Sequence, residues 1–312
     1  MTTDTKRHVG IIGGGVMGGD VAILFAANGW DVHVMSPSPN TRAALTARVT
    51  AGLAKLGVAT GTAGQVATYA SLAELPWDRI ELVNESALED LALKQKLFAE
   101  MEQLSRPGIP LTSNSSNFPI SEISKGLATR SRMAGLHFFM PAHFVPLVEI
   151  VCGPDTDAAM AQTLIELMGV MGKAPIQVKR DVPGFVGNRL QHALLREAMY
   201  LVADGVATPD DIDAAVRCGF GFRFIACGPM RQKEMSGWNT TLTVASALYP
   251  HLHNETAPPA WLGEMVKAGH TGMKAHQGLR SWTDEEIAGE RARIENALQA
   301  AMRILDSEKP AR

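Results

Sequence analysis

Gly13, Gly15 and Gly18 spell G-x-G-x-x-G directly after the apolar run His8 to Ile12 and at the mouth of an apolar, helix-forming stretch. This spacing restricts the chain more than any other feature. The first glycine permits a tight turn, and the second lets a phosphate approach the backbone. The third lets helix and strand pack closely, with the helix N-terminus facing the negative charge. Val16 and Met17 fill the turn between the second and third glycines. A strand, this loop, a helix and a second strand at Asp31 to Met35 together predict a dinucleotide-binding βαβ unit.

The pattern continues through the first half of the chain, where β-branched runs alternate with amphipathic stretches. Ile80 to Val83, Ile109 to Ser113, Arg132 to His137, Leu147 to Cys152 and Ile176 to Lys179 read as further strands. Thr41 to Leu56, Leu88 to Glu102, Ile120 to Gly126 and Asp155 to Met171 read as the helices between them. After Asp181-Val182-Pro183-Gly184 the strand signal stops, and Phe185 to Asp204, Pro209 to Cys218, Met230 to Leu248, Pro259 to Ala268 and Asp284 to Ser307 carry helical periodicity. The expectation is an α/β chain with an N-terminal Rossmann doubly wound sheet over residues 1–180 and an all-helical C-terminal domain over 181–312. Glu308 to Arg312 read as a loose tail.

Composition excludes several classes. With 46% hydrophobic residues among 312, and 32 acidic against 29 basic side chains in no long block of one sign, the chain offers nothing to attract nucleic acid or an anionic membrane. The most apolar stretch, Val9 to Trp30, is interrupted by glycines and by Asp20, and Met1 to His8 lacks the layout of a signal peptide, so a cytoplasmic location is expected. Cys152, Cys218 and Cys227 have no C-x-x-C spacing, so neither a disulfide nor a metal site is expected.

A dinucleotide fold of this kind ends its second strand in an acid that bonds the adenosine ribose. Here that position is Ser36, followed by Pro37, Ser38 and Arg42. Without a carboxylate to repel a 2′-phosphate, NADP stands beside NAD as the cofactor. Either Ser36 and Arg42 meet that phosphate, or Ser36 bonds the ribose of NAD and Arg42 is a surface residue.

His137 closes an apolar strand, and Glu149 lies twelve residues on within Leu147-Val148-Glu149-Ile150-Val151. A buried carboxylate needs a partner. Two neighbouring strands joined by a loop braced by Pro141 and Pro146 bring Glu149 against the imidazole, which makes a general base and its orienter beside a nicotinamide site. His143, in that loop, reads as a surface residue. Two polar clusters, Thr112 to Asn117 and Pro183 to Arg189, fall where such a sheet presents its carboxyl ends.

These motifs resemble the 3-hydroxyacyl-CoA dehydrogenase family from about residue 8 to about 283. The resemblance rests on the glycine loop, Asn84-Glu85-Ser86-Ala87-Leu88-Glu89 with Lys94, Ser113-Asn114-Ser115-Ser116, Gly135-Leu136-His137-Phe138-Phe139-Met140-Pro141 with Leu147-Val148-Glu149, Asp181 to Arg189, and Asp210 to Asp213. It implies that His137 is the catalytic base, Glu149 its partner, and Ser116 and Asn188 the ligands of the substrate oxygen. Glu85, Glu89, Lys94 and Asn114 then fall on the cofactor side, and a homodimer through the helical domain is implied.

Departures narrow the expectation. Met140 stands where the family has asparagine, and residues 37 to 80 hold only Arg42, Arg48, Lys55 and Arg79, few cations to meet the phosphates of coenzyme A. Lys55 to Ala59, Leu194 to Ala198, and Gly219 to Arg223 with Gly228-Pro229 are similar to the branch acting on small free acids. That branch comprises L-gulonate 3-dehydrogenase with lambda-crystallin, carnitine dehydrogenase and a pyridine-carboxylate 5-dehydrogenase. Arg189 or Arg223 is a candidate clamp for a substrate carboxylate, though either also reads as structural. The expectation is an NAD(P)-dependent dehydrogenase of a small hydroxy acid. A true 3-hydroxyacyl-CoA dehydrogenase is the alternative among enzymes, and a crystallin-like dinucleotide-binding protein is the alternative outside them.

Overall fold

The computed structural model describes residues 6–59 and 61–308 and forms two compact units, Met1–Arg189 and Leu190–Arg312. Residues 1–5 and residues 309–312 of the expected tail lie outside the described residues.

The first unit is an eight-stranded sheet in the order β3-β2-β1-β4-β5-β6-β7-β8. Its strands are β1 (His8–Ile12), β2 (Asp31–Met35), β3 (Val66–Tyr69), β4 (Leu82–Glu85), β5 (Leu111–Ser113), β6 (Met133–Phe138), β7 (Leu147–Val151) and β8 (Ala174–Val178). Every neighbouring pair is parallel except β6 with β7. The strand order reverses between β1 and β4, where sheets of this design open a crevice at the carboxyl ends of the strands.

Helices α1 (Val16–Ala27), α2 (Pro39–Lys55), α3 (Leu91–Leu104), α4 (Ile120–Ile123) and α5 (Ala158–Val170) cover the two faces. Helix α1 has no polar side: Gly18 through Ala26 are all buried, because it lies between the sheet and α2. Phe98 and Met101 of α3 fill the opposite layer with Val83, Ile109 and Leu111. Truncating Phe98 to alanine would cost roughly 3–5 kcal/mol.

Strand β3 has no counterpart in the sequence reading. It is a four-residue edge strand, none of whose residues is fully buried, so it carries little hydrophobic signal. The expected strand at Ile80 to Val83 sits two residues later, since Ile80 packs beneath the sheet before pairing begins at Leu82.

Helix α6 (Gly187–Ala203) begins in the first unit and continues into the second. It is followed by α7 (Pro209–Ala215), a π-helical turn (Val216–Phe220), α8 (Gly221–Phe224), α9 (Pro229–Ser236), α10 (Trp238–Leu248), α11 (Ala260–Lys267) and α12 (Asp284–Ser307). Thr208 with Asp211 and Thr283 with Glu286 close reciprocal capping boxes that start α7 and α12. The single helix expected from Met230 to Leu248 is two, because Gly237 at φ 90° breaks it. Among the described residues of α6 to α12, Ile287 is the one buried hydrophobic side chain, whereas Leu190, Phe222, Met235 and Leu242 are each more than 60% exposed. No helix among the described residues is long and apolar enough to cross a membrane.

Candidate active site

Strands β6 and β7 pair in the register His137↔Glu149, which sets the two side chains on the same face of the sheet, directly opposite one another. The imidazole Nδ1 lies 2.7 Å from Glu149 Oε2, and Nε2 lies 3.1 Å from the Ser116 hydroxyl. Both members are sealed from water, His137 at 3% exposure and Glu149 at 0%. An ionised carboxylate only accepts hydrogen bonds, so Nδ1 carries the proton and Nε2 presents its lone pair towards Ser116.

The other oxygen of Glu149 has separate work. Oε1 accepts the backbone N–H of Val186 at 3.0 Å and of Gly187 at 2.9 Å, at the start of α6. Burial opposes ionisation of this carboxyl, but the His137 ring N–H and the two backbone donors outweigh it and hold the group below the usual carboxylate range. Asn188 follows immediately, so Glu149 anchors both the imidazole and the helical turn that carries Asn188.

Aromatic rings fix the imidazole plane. Phe139 and Phe185 meet His137 edge-on at centroid distances of 4.8 and 5.4 Å. Phe185 holds φ 49°, and a Cβ on Gly187 would lie 2.3 Å from the Phe139 ring, so any larger residue there would push that ring aside.

The glycine loop lies at the carboxyl end of β1. Gly13 has φ 110°, and any Cβ there would strike the Ser86 carbonyl oxygen at 2.5 Å. A Cβ on Gly18 would lie 1.7 Å from the Gly13 carbonyl oxygen. A Cβ on Gly15 would meet nothing within 4 Å, and no side chain caps α1. An open backbone at an uncapped helix N-terminus fits a pyrophosphate. Val16 is exposed beside it and Met17 half-buried. Ser36 is buried, its N–H bonded to the Tyr69 carbonyl, and its own carbonyl accepts Arg42 Nη1 at 2.5 Å. The Ser38 hydroxyl caps α2 by accepting the N–H of Thr41.

The remaining expected residues fall as follows. Glu85 and Lys94 are fully buried and joined at 2.8 Å, with the exposed Glu89 at 3.3 Å from the same ammonium. The Asn114 side-chain oxygen accepts the Phe138 N–H at 2.8 Å and so holds the end of β6. Met140 is exposed. Arg189 is exposed and donates to the Pro183 carbonyl at 3.3 Å. Arg223 is an exposed residue of α8 in the second unit.

His143 is not a surface residue. Its side chain is 9% exposed, with Nδ1 3.6 Å from Asp20. Asp20 is a buried acid on α1 that Arg48 of α2 meets at 2.5 Å, and Arg48 also donates to the carbonyls of Gly15 and Val16. The sequence reading passed over this cluster. Its signal was Asp20 itself, a charge in an apolar helix that needs a counter-ion.

Comparison with known proteins gives the lineage. The family model for the 3-hydroxyacyl-CoA dehydrogenase NAD-binding domain matches residues 8–182, and that for the C-terminal domain matches residues 184–282. The 5-formyl-3-hydroxy-2-methylpyridine 4-carboxylate 5-dehydrogenase of Mesorhizobium japonicum is 32% identical over 307 residues, covering 96% of this chain and 98% of that protein. An L-carnitine dehydrogenase of Streptomyces coelicolor is 37% identical over 237 residues, 75% of this chain and 74% of the relative. A crystal structure of a dehydrogenase of that name, described as an NAD+-dependent dismutase, superposes with a TM-score of 0.88 at 30% identity, covering 98% of this chain and all of that one.

Proposed function

The chain belongs to the 3-hydroxyacyl-CoA dehydrogenase family, NAD-dependent oxidoreductases acting on CH–OH groups, and on that premise we propose that it interconverts a hydroxyl and a carbonyl on a small free acid. One observation carries the chemical part: the unbroken line Ser116, His137, Glu149 at the carboxyl edge of a dinucleotide-binding sheet.

NAD, when bound at the glycine loop, supplies the hydride acceptor or donor. The chain's own residues do the rest. In the oxidative direction His137 Nε2 takes the substrate hydroxyl proton, while Nδ1–H stays on Glu149 and the resulting imidazolium lies against a carboxylate. Ser116 donates to the substrate oxygen, and Asn188 orients it from the first turn of α6. Phe139 and Phe185 keep water from the dyad. Glu85, Lys94 and Asn114 act on the cofactor side through the strands and loops they hold.

Two features favour a small acid over a coenzyme A thioester. The stretch between β2 and β4 holds one long helix and a short edge strand, with few cations, two of which are turned inward: Arg42 onto the Ser36 carbonyl and Arg48 onto Asp20. The pyridine-carboxylate and carnitine dehydrogenases, whose names specify small free acids, match across most of their length. Arg189 and Arg223 are the candidate carboxylate clamps, a bidentate contact being worth about 1.5–3 kcal/mol. For the cofactor, NAD is the primary reading, with NADP admitted by the absence of an acid at Ser36. The exposed apolar side chains of α6, α8 and α10 support a homodimer through the helical unit, and sedimentation equilibrium should return twice the 33.4 kDa chain mass.

Initial-rate assays with NAD and NADP test the reading. The panel comprises L-carnitine, hydroxymethylpyridine carboxylates and other small hydroxy acids, set against 3-hydroxybutyryl-CoA. A free acid should give the higher kcat/KM. Turnover of the CoA ester at about 10⁴ M⁻¹s⁻¹ or better, with no free acid approaching it, would select the coenzyme A reading instead.

A further inference from the structure

Arg48 of α2 touches the glycine loop from behind. Its Nη1 donates to the Gly15 carbonyl at 3.0 Å and its Nη2 to the Val16 carbonyl at 2.6 Å. Nη2 also meets Asp20 Oδ1 at 2.5 Å, and His143 Nδ1 lies 3.6 Å from that same oxygen. Gly19 supplies the seat for the guanidinium, since a Cβ there would stand 2.5 Å from Nη1 and 2.8 Å from the guanidinium carbon. The cation therefore rests against bare helix backbone.

Each gripped carbonyl belongs to a peptide unit whose other end matters for binding. The Gly15 carbonyl shares its plane with the Val16 N–H, and the Val16 carbonyl shares its plane with the Met17 N–H. In a trans peptide the two ends point in opposite directions. Val16 and Met17 open α1, so their N–H groups have no acceptor inside the helix and face out of its uncapped N-terminus, where the pyrophosphate of a dinucleotide belongs. A donor on the carbonyl end fixes the tilt of the plane and polarises the peptide, which makes its N–H a stronger donor. The Gly15 carbonyl already accepts the Gly19 N–H at 2.9 Å, so Nη1 is its second donor.

We propose that Arg48, aimed by Asp20, is a positioning residue of the cofactor site: it holds the Gly15–Val16 and Val16–Met17 peptide units by their carbonyls so that their N–H groups stand ready for the pyrophosphate. The inference rests on the dinucleotide reading of the glycine loop and is independent of the substrate. A plain charge argument gives a different outcome. Asp20 is a buried acid near the start of α1, and an arginine that merely cancelled it would spare the cofactor a repulsion. Removing both charges together separates the two accounts, because the net charge of the pair is then unchanged.

Calorimetric titration of the cofactor-free chain with NADH and with ADP-ribose tests this, with adenosine, displaced against NADH, as the probe that carries no phosphate. Three variants are compared with the parent: Arg48→Met, Arg48→Met combined with Asp20→Asn, and Gly19→Ala, which keeps every charge but takes the guanidinium's seat. Both arginine variants should raise Kd for NADH and ADP-ribose by the same factor, about tenfold for two braced donors, and shift adenosine by less than about twofold. Gly19→Ala should raise the same two constants about threefold or more. If Arg48→Met, which strands Asp20, does not fold, the double variant leaves no charge unpaired and carries the test. A double variant within about twofold of the parent would reduce Arg48 to a counter-ion of Asp20 and overturn the proposal. Parent affinity in Gly19→Ala would overturn it as well, and so would an equal loss for adenosine, which would move the effect off the pyrophosphate. A parent chain that binds neither NADH nor NADPH would instead refute the dinucleotide reading itself.

Discussion

His137 and His33 are buried in the same sheet, on β6 and β2, with β1, β4 and β5 between them. Their surroundings differ in the partner supplied. His137 has an ionised carboxylate 2.7 Å from Nδ1 and a hydroxyl at Nε2. His33 has Tyr69 at 3.0 Å from Nδ1 and His8 at 3.1 Å from Nε2, stacked with a ring separation of 5.3 Å. Burial, then the neighbouring His8, push His33 down to about 4, against an opposing pull from Asp31 and with a smaller push from Arg79. His33 is set up to refuse a proton, whereas His137 is held by a carboxylate through its Nδ1–H. What separates them is a carboxylate in the opposite register position, since both rings are dry.

The contrast breaks most sharply at His137. His137→Ala should lower kcat by roughly two to four orders of magnitude while NADH affinity stays near the parent value. Retention of more than about a tenth of the activity in a steady-state assay would leave too little barrier lowering to call this residue the base.

Glu149→Gln sharpens it. A single amide oxygen cannot serve both His137 Nδ1–H and the two N–H groups of α6, so one side must lose its acceptor. We expect kcat to drop about a hundredfold or more and Tm to fall as well, by the cost of a buried donor left unpaired, about 1–3 kcal/mol. A loss of rate with unchanged Tm would show that Oε1 contributes nothing to the helix.

His33 should show itself in stability alone. It protonates at about 4 in the folded chain and at 6.5 ordinarily, so between these values the unfolded chain binds more protons. Stability should therefore be unaffected by this group above about pH 6.5, fall as pH drops through that window, and level off below pH 4, for a total of about 3 kcal/mol. Thermal unfolding at pH 7.5 and 4.5 should show the difference shrink in His33→Gln, with kcat at pH 7.5 little changed. An equal acid slope in the variant would mean that other groups set it.

The smallest effect concerns the adenosine end of β2, beyond His33. Ser36→Asp should weaken NADPH about tenfold or more relative to NADH through like-charge repulsion, read by fluorescence titration with both. Equal losses would mean that this position does not sense the 2′-phosphate.

How much of this was legible varies with the range of the signal. The glycine loop and most of the strands declared themselves locally, because a turn and an apolar run are written in consecutive residues. The dyad was legible too, since a glutamate in an apolar strand demands a partner and His137 was the nearby candidate. The antiparallel reversal at β7 was not foreseen, as strand direction leaves no mark on periodicity. Neither was the Asp20–Arg48–His143 cluster, whose members lie 28 and 123 positions from Asp20 and meet only through packing. Glu89 was read on the cofactor side by resemblance, and the hydrogen bonds that its Oε1 accepts from Ser115, Ser116 and Asn117 are visible only in three dimensions. Likewise β3 was lost because an edge strand with half-exposed sides looks like loop.

The register that joins His137 to Glu149 has a bearing on how such an enzyme changes its diet. Strand pairing, not the connecting segment, fixes the distance between imidazole and carboxylate, and a slip by one residue would turn the pair to opposite faces. Residues 140–146 lie outside the ladder and beyond Phe139, and Met140 within them is open to solvent. Lengthening or recolouring that hairpin end leaves the proton-transfer geometry alone while changing what this edge of the sheet can hold. Chemistry and appetite are thereby stored in separate stretches of chain, so a graft between relatives confined to 140–146 should exchange the second without disturbing the first.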